Sequence, residues 1–423
     1  MARGRALALL LALWPALAWS AAPRAPDGPA QAVFASVKDS VLQIRTLLKG
    51  SQSQNSTGSG FHVSDDGLII TNYHVVASHA LEPESYDIEF VSSRGERGAL
   101  TLLAVDVLHD LALLRRQGSR LPFLKFHDTV AARGEKLYSL GNPNDLGMVI
   151  VEGVNNGERE HAFYDSLHFT GAINPGMSGG PVVTRDAGVT GINVATMGES
   201  RGFLVPSHHA RALLASWRAT PAPVTDLVPE ITRQMKLHSA ALAQRLASRP
   251  LPVQPDAGYA VPDAADPYMR CWASKSDNLK LFYDVRSYSC SGDSSVYVGQ
   301  GVSVGEVQFE SRLFQSDKLD AVRFAYLVQQ AYGGSDGYSS DIKHFGKFAC
   351  TDAVLQLDGM AVKTALCLRP YRKFTGLYDF QLNVASLRES HRALVTRLSM
   401  HGMTHEDGMR LVRRYLEAQR WRE

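Results

Sequence analysis

Eight consecutive residues, Asn174-Pro175-Gly176-Met177-Ser178-Gly179-Gly180-Pro181, constrain this chain more than any other stretch. Glycines on both sides of Ser178 let the backbone turn sharply enough to aim neighbouring N–H groups into one hole. That matters because a serine hydroxyl is a poor nucleophile until a base takes its proton. The tetrahedral intermediate it then forms needs donors aimed at its oxyanion. Gly176 and Ser178 are placed to supply those backbone donors. The base is sought upstream, in Thr71-Asn72-Tyr73-His74-Val75-Val76, at the end of a hairpin over residues 60–71 that turns at Asp66-Gly67. Its ring needs a carboxylate to hold one tautomer and to stabilise the imidazolium that forms. Asp110, in His109-Asp110-Leu111-Ala112-Leu113-Leu114, is placed for that role. Taken singly, each residue has an ordinary reading as a core histidine, a glycine loop or a turn-capping aspartate. As a set, His74, Asp110 and Ser178 read as a nucleophilic triad.

Through these residues the chain resembles the HtrA (Deg) branch of the chymotrypsin-like serine proteases, over residues 30–217, about half its length. The matching stretches are Gly58-Ser59-Gly60-Phe61, Asp66-Gly67-Leu68-Ile69-Ile70-Thr71-Asn72-Tyr73-His74-Val75-Val76, Asp110-Leu111-Ala112-Leu113-Leu114 and Leu140-Gly141-Asn142-Pro143. The serine block with Ala172-Ile173 ahead of it, and Phe203-Leu204-Val205-Pro206-Ser207, complete the set. The resemblance implies two antiparallel β-barrels with the triad between them. It also implies a serine endopeptidase that works through an acyl-enzyme on unfolded or extended polypeptides, in envelope quality control or processing. In that fold the base of the pocket for the residue before the cut lies six positions ahead of the nucleophile, here Ala172. A wall comes from the strand over 191–196, through Asn193 and Ala195. These side chains are small or medium and uncharged, so small-to-medium aliphatic residues are expected there. Two departures matter. Met177 stands where the family usually has asparagine, although the hole uses backbone groups. No PDZ-like segment follows the protease unit, so family-style peptide sensing and trimeric assembly are not carried over, and the oligomeric state is left open.

Two other readings compete. Gly176-Met177-Ser178-Gly179-Gly180 also satisfies G-x-S-x-G, the nucleophile elbow of esterases and lipases, but that elbow leads from a strand into a helix and has its acid and histidine after the serine. Alternatively, the protease fold is latent or regulatory and serves as a binding protein.

The rest of the chain is organised around this unit. Residues 219–267 hold eight of the 19 prolines, which marks a linker, and within it the apolar spacing over 226–247 predicts a helix. The expected divisions are therefore a leader over 1–20, a protease domain over 30–218, the Pro-rich, partly helical linker over 219–267 and a C-terminal domain over 268–423. The fold class is mainly β, a chymotrypsin-like double barrel followed by a disulfide-containing α+β domain. Short strands around 41–45, 88–91 and 191–194 fit the barrels, with Ser207 capping a helix to 217. In the last domain, strands are expected over 279–285, 294–298 and 305–309, and a helix over 319–331. Two terminal helices are expected over 385–400 and 404–421, the second opened by Thr404 with Asp407 three residues on.

Arg3 and Arg5 followed by an apolar run over 6–18 fit a signal peptide cut before Ala21, because a spanning helix needs about 20 apolar residues. Export and no stable membrane insertion follow, and the family resemblance, with no surface-anchor signal, favours the periplasm over secretion. All four cysteines lie after residue 268, and the even count in an exported chain reads as two disulfides; of the three possible pairings the sequence-local one, Cys271–Cys290 with Cys350–Cys367, is favoured. Their spacing lacks the paired pattern of a zinc site. His208 and His209 read as solvated residues of a helix's first turn. No metal or organic cofactor is expected. Lys+Arg 44 against Asp+Glu 42 leaves a net charge of +2, which excludes a nucleic-acid partner on charge grounds and leaves polypeptide substrates.

Overall fold

The computed structural model describes residues 28–143, 146–196, 202–221, 226–276, 282–333, 341–387 and 389–420, with backbone only at 195 and 196. The expected leader over 1–20 lies outside the described residues. After the short helix α1 (Pro29–Val37), seven strands follow: β1 (Val41–Leu48), β2 (Ser53–His62), β3 (Leu68–Thr71), β4 (Tyr86–Ser92), β5 (Arg97–Ala99), β6 (Thr101–Asp106) and β7 (Leu111–Arg115). They form an antiparallel sheet ordered β5-β4-β1-β2-β3-β7-β6. Only Leu100 separates the two edge strands β5 and β6 in sequence, so the sheet curls back on itself as a barrel. Helix α2 (Tyr73–Leu81) leaves it between β3 and β4.

The second barrel is closed by hydrogen bonds, in the order β10-β13-β12-β11-β8-β9. Its strands are β8 (Lys136–Gly141), β9 (Val149–Glu158), β10 (Leu167–Phe169), β11 (Pro181–Val183), β12 (Val189–Thr196) and β13 (Gly202–Pro206). Phe61, Leu68, Ile70, Leu111 and Leu113 from the first barrel meet Tyr138, Leu140, Val183 and Ile192 from the second in one buried layer. Strand β1 shows why such strands are buried almost throughout. Alternate side chains serve different cores, Val41 in this layer and Leu42 and Ile44 inside the first barrel. Helix α3 (Ser207–Ala219) closes the unit, but its N-cap is Pro206, not Ser207, and no side chain caps it.

The Pro-rich region is not a free linker. Helix α4 (Val228–Ala247) starts with Pro229 in its first turn, where a missing N–H costs nothing. Leu227, just before the helix, and Ile231 and Met235 of its first half enter the core of the first barrel. Its second half puts Leu242 and Leu246 into the core of the C-terminal domain. A hairpin of β14 (Val253–Asp256) and β15 (Tyr259–Pro262) follows, and Tyr259 and Val261 are buried in that same C-terminal core.

The C-terminal domain is a second seven-stranded antiparallel sheet, ordered β16-β17-β20-β24-β23-β22-β21. It comprises β16 (Met269–Lys275), β17 (Asp284–Gly292), β20 (Val307–Gln315), β21 (Ala349–Leu357), β22 (Met360–Pro370), β23 (Leu377–Ser386) and β24 (Arg392–Thr404). The hairpin β18 (Val296–Gly299) and β19 (Val302–Val304) stands off the sheet. Helix α6 (His405–Glu417) and α4 pack on one face, with Leu394 and Leu398 pointing at them. Helix α5 (Ala321–Gly333) packs on the other, against Ala393 and Val395. The helix expected over 385–400 is therefore absent, and those residues run through the end of β23 and into β24. Cys271–Cys290 and Cys350–Cys367 are the disulfides, each joining residues directly opposite on neighbouring strands.

Candidate active site

His74 is the second residue of α2, at the rim where the two barrels face each other. Asp110 immediately precedes β7, the neighbour of β3. Its carboxylate grips His74 twice: Oδ2 lies 2.6 Å from the ring Nδ1, and Oδ1 accepts the His74 backbone N–H at 2.8 Å. Asp110 has φ 53°, a left-handed conformation that a short polar side chain tolerates. The bend is held from behind, because the Asp110 carbonyl accepts from Tyr73 N at 3.1 Å and from Asn72 Nδ2 at 2.8 Å. Burial pushes the His74 imidazole toward neutrality, but the Asp110 charge and hydrogen bond outweigh it, so its pKa sits above the ordinary histidine value.

The serine loop docks onto β2. Ser59 N donates to the Ser178 carbonyl at 2.7 Å, Ser59 Oγ donates to the Gly176 carbonyl at 2.7 Å, and Asn142 N donates to Ser59 Oγ at 2.9 Å. Gly176 has φ 93° and Gly179 φ 83°. A Cβ on Gly179 would come within 2.2 Å of the Ser59 carbonyl and 2.3 Å of Thr71 Oγ1. Glycine is therefore required there. Met177 N donates to Asn174 O and Gly179 N to Asn193 O, whereas the N–H groups of Gly176 and Ser178 have no acceptor among the described residues. Two neighbouring unpaired donors beside a serine are the arrangement an oxyanion needs. Met177 is fully buried, so the site that resembles an asparagine position in the family carries a packing side chain here. The Ser178 hydroxyl donates to the Val194 carbonyl at 3.3 Å. Beyond Ser178 the chain enters β11, not a helix, which removes the nucleophile-elbow reading.

The expected pocket residues separate. Ala172 is exposed, beside buried Gly171 and Ile173. Asn193 does not line a pocket. It is fully buried, accepts from Ser139 Oγ at 2.8 Å, and donates to the carbonyls of Leu140 at 3.1 Å and Met177 at 3.3 Å. Its role is to brace the serine loop from inside the barrel. The Ala195 side chain lies outside the described residues. Two residues escaped the sequence reading. Ser59 lies in Gly58-Ser59-Gly60-Phe61, but its bracing role shows only in its hydrogen bonds to Gly176 and Ser178, more than 100 positions away. Tyr297, from β18, stands with its ring 6.3 Å from that of His74, edge to face at 87°.

His209 is not solvated. It hydrogen-bonds Asp165 at 2.7 Å and stacks on His109, with ring centroids 3.6 Å apart and planes inclined by 17°. His109 in turn bonds Asp106 at 2.7 Å, and the more exposed His208 lies 3.3 Å from Asp165. The ligating atoms of His109, Asp165 and His209 fall within 4.8 Å of one another. A metal bonds imidazole close to its ring plane, and two nearly parallel stacked rings do not share one. The cluster is a hydrogen-bonded network behind Asp110.

Residues 58–192, which include His74, Asp110 and Ser178, match the trypsin-like peptidase domain. The chain carries a trypsin-like peptidase domain. Two relatives of this domain are a probable periplasmic serine endoprotease, DegP-like, of Chlamydia muridarum and the serine protease HTRA4 of Homo sapiens. The first is 31% identical over 168 residues, covering 37% of this chain and 33% of the relative. The second is 34% identical over 200 residues, covering 44% and 41%. The chain thus spans well under half the length of either. A solved serine endoprotease from Yersinia pestis aligns with 47% of this chain and 69% of its own, at 23% identity and a TM-score of 0.41.

Proposed function

We propose that this protein is an exported serine endopeptidase in which His74 is the general base, Asp110 its orienting carboxylate and Ser178 the nucleophile. The observation that carries the reading is the double grip of Asp110 on His74, through the ring at 2.6 Å and the backbone N–H at 2.8 Å. It fixes the proton on Nδ1 and leaves Nε2 as the base. The Ser178 hydroxyl turns from Val194 toward Nε2, gives up its proton and attacks the substrate carbonyl carbon. The oxyanion is met by the N–H groups of Gly176 and Ser178. Collapse expels the amine, which takes the proton from His74, and leaves an acyl-enzyme. Water, deprotonated by the same imidazole, then releases the acid.

Ala172 brings no charge to the pocket floor, which supports cleavage after small-to-medium aliphatic residues of extended polypeptide. The two disulfides support an oxidising compartment, and the periplasmic relative favours the periplasm over full secretion, with envelope quality control or processing as the setting. A fluorophosphonate probe tests the reading: it should label Ser178 in the resting protein and fail to label Ser178→Ala. An unlabelled resting protein that becomes labelled only with a partner would instead establish the latent reading, for which the Ser178–Val194 bond is the specific support.

A further inference from the structure

The C-terminal domain reaches the peptidase domain at the helix that carries the base. The hairpin β18–β19 places Val296, Val298, Val302 and Val304 in the same core as Val76, Ala77 and Ala80 of α2. Tyr73, next to His74 and fully buried, donates its hydroxyl to the Val298 carbonyl at 2.7 Å. At the other end of α2, Lys373 Nζ donates to the Leu81 carbonyl at 2.7 Å, and Lys343 pairs with Glu82 at 3.1 Å. A lysine on the last carbonyls of a helix is favoured by the dipole as well as by the hydrogen bond. The helix bearing the general base is therefore held at both ends by residues more than 200 positions away. The hairpin itself is backed by Tyr371, whose hydroxyl contacts the Ser303 carbonyl at 3.3 Å and Asp379 Oδ1 at 2.7 Å.

Strand alternation then decides where Tyr297 points. Val296 and Val298 face the shared core, so Tyr297 faces the opposite way, with its ring edge-to-face with His74. It stays 39% exposed, and the His74 side chain is 31% exposed, so a ligand at the base can touch both rings. Such a large aromatic ring, held beside the base by a hairpin whose neighbouring residues are buried, offers a fixed apolar face for a substrate side chain to pack on.

We propose that Tyr297 is a specificity-determining residue of the peptidase site: the C-terminal domain supplies one wall of it, and an apolar or aromatic substrate side chain flanking the scissile bond packs in the angle between Tyr297 and His74. This rests on the peptidase reading above. The domain following the peptidase is then part of the active site and not an appendage to it.

Cleavage-site profiling of a denatured protein mixture tests this, using the full chain, Tyr297→Phe and Tyr297→Ala, with fluorophosphonate labelling of Ser178 run alongside. Tyr297→Ala should weaken the apolar preference at one position flanking the cut by about 2- to 10-fold, mostly through KM. The preference at the residue before the cut should stay, and Tyr297→Phe should keep the wild-type profile. An unchanged profile in a labelled Tyr297→Ala protein overturns the proposal, as does a Tyr297→Phe profile as altered as that of Tyr297→Ala. If Tyr297→Ala fails to label, Tyr297→Leu fills the same space without an aromatic face and must show the altered profile. Wild-type protein that never labels refutes the peptidase reading itself, a separate outcome.

Discussion

Two seven-stranded antiparallel sheets in this chain meet the same difficulty in different ways. A sheet edge exposes unpaired N–H and C=O groups and invites pairing with other chains. The first sheet curls until its edge strands β5 and β6 are joined through Leu100 alone, although no hydrogen bonds close it as they close the second barrel. The C-terminal sheet stays open, and each edge strand is covalently tied to its inner neighbour, β16 to β17 by Cys271–Cys290 and β21 to β22 by Cys350–Cys367. The contrast accounts for the uneven placement of the cysteines. A curled sheet whose edge strands are joined by a single residue needs no staple, whereas an open sheet with two separated edges gains from one at each.

The comparison is first tested at the barrel side, where the effect is largest. Ser178→Ala or His74→Ala should each lower kcat by roughly 10⁴- to 10⁶-fold, and the double variant little further, because the groups act as a unit. Asp110→Asn should cost about 10⁴-fold. Single losses that multiply in the double variant would refute the triad. Activity needs neutral His74, whose pKa is raised, so kcat/KM should rise with pH through a midpoint above 6.5.

The open sheet should be more sensitive to a single buried charge. Asp379 is fully buried, paired with Arg369 at 2.7 Å and bonded by Tyr371 and the Gly402 N–H. Asp379→Asn leaves the Arg369 guanidinium buried without its counter-charge, at a cost of about 3–5 kcal/mol in chemical denaturation. A change below about 1 kcal/mol would show that the pair is a replaceable contact.

Disulfide reduction addresses the edges directly. The bonds close loops with separations of 19 and 17 residues, each worth roughly 3 kcal/mol on the chain-entropy model. Reduction should increase hydrogen exchange in β16, β17, β21 and β22 first, while β1, β2 and β3 keep their protection. Uniform loss of protection would mean that the two sheets unfold as one body.

Acid should strain both units, though through different contacts. His62, in β2, is buried with neither ring nitrogen paired among the described residues. His238, in α4, bonds the Ser294 carbonyl and Tyr164. Burial lowers each pKa from 6.5 to about 4, with Arg116 adding to the effect at His62. The unfolded chain binds these protons near pH 6.5 and the folded chain refuses them until about 4. Stability present above pH 6.5 is therefore lost as pH falls through that window, by roughly 3 kcal/mol per histidine at most. His62→Gln and His238→Gln should each flatten the acid limb of a stability–pH curve.

How far the sequence reached differs between the same two regions. The triad and its loop were legible because the chemistry demands particular residues in a short span, and the hairpin turn at Asp66-Gly67 carries its own signal. The sequence predicts a helix over 385–400, where the chain instead runs through the end of β23 and into β24. In place, β24 lies between β20 and β23, and alternate residues serve opposite faces, so the ladder overrides local preference. Proline density misled for a related reason. Pro229 opens a helix and Pro262 ends a strand, both positions where proline is tolerated. Asn193 is neutral and lies in the expected pocket strand, but nothing in the sequence says which way it faces. Tyr297 carries no motif at all, and its neighbour Val298 meets Tyr73 across 225 residues.

The smallest effect should come from the joint between the two regions. Thr404 caps α6, accepting the Asp407 N–H at 3.2 Å and donating to Asp407 Oδ2 at 2.7 Å. The same Asp407 Oδ2 accepts Ser239 Oγ of α4 at 2.8 Å, and Ser239 Oγ accepts Thr404 N at 2.9 Å. Four groups thus close a small circuit between α6 and the helix that spans both cores. Thr404→Ala removes the cap, worth about 1 kcal/mol, but leaves the Ser239–Asp407 contact in place. Thr404→Ser keeps the oxygen and should recover most of the loss. If α4 transmits the strain, protection in its first half, around Ile231 and Met235, should fall with that in α6. If only α6 loosens, the two cores are joined by packing alone, and the circuit serves the C-terminal sheet by itself.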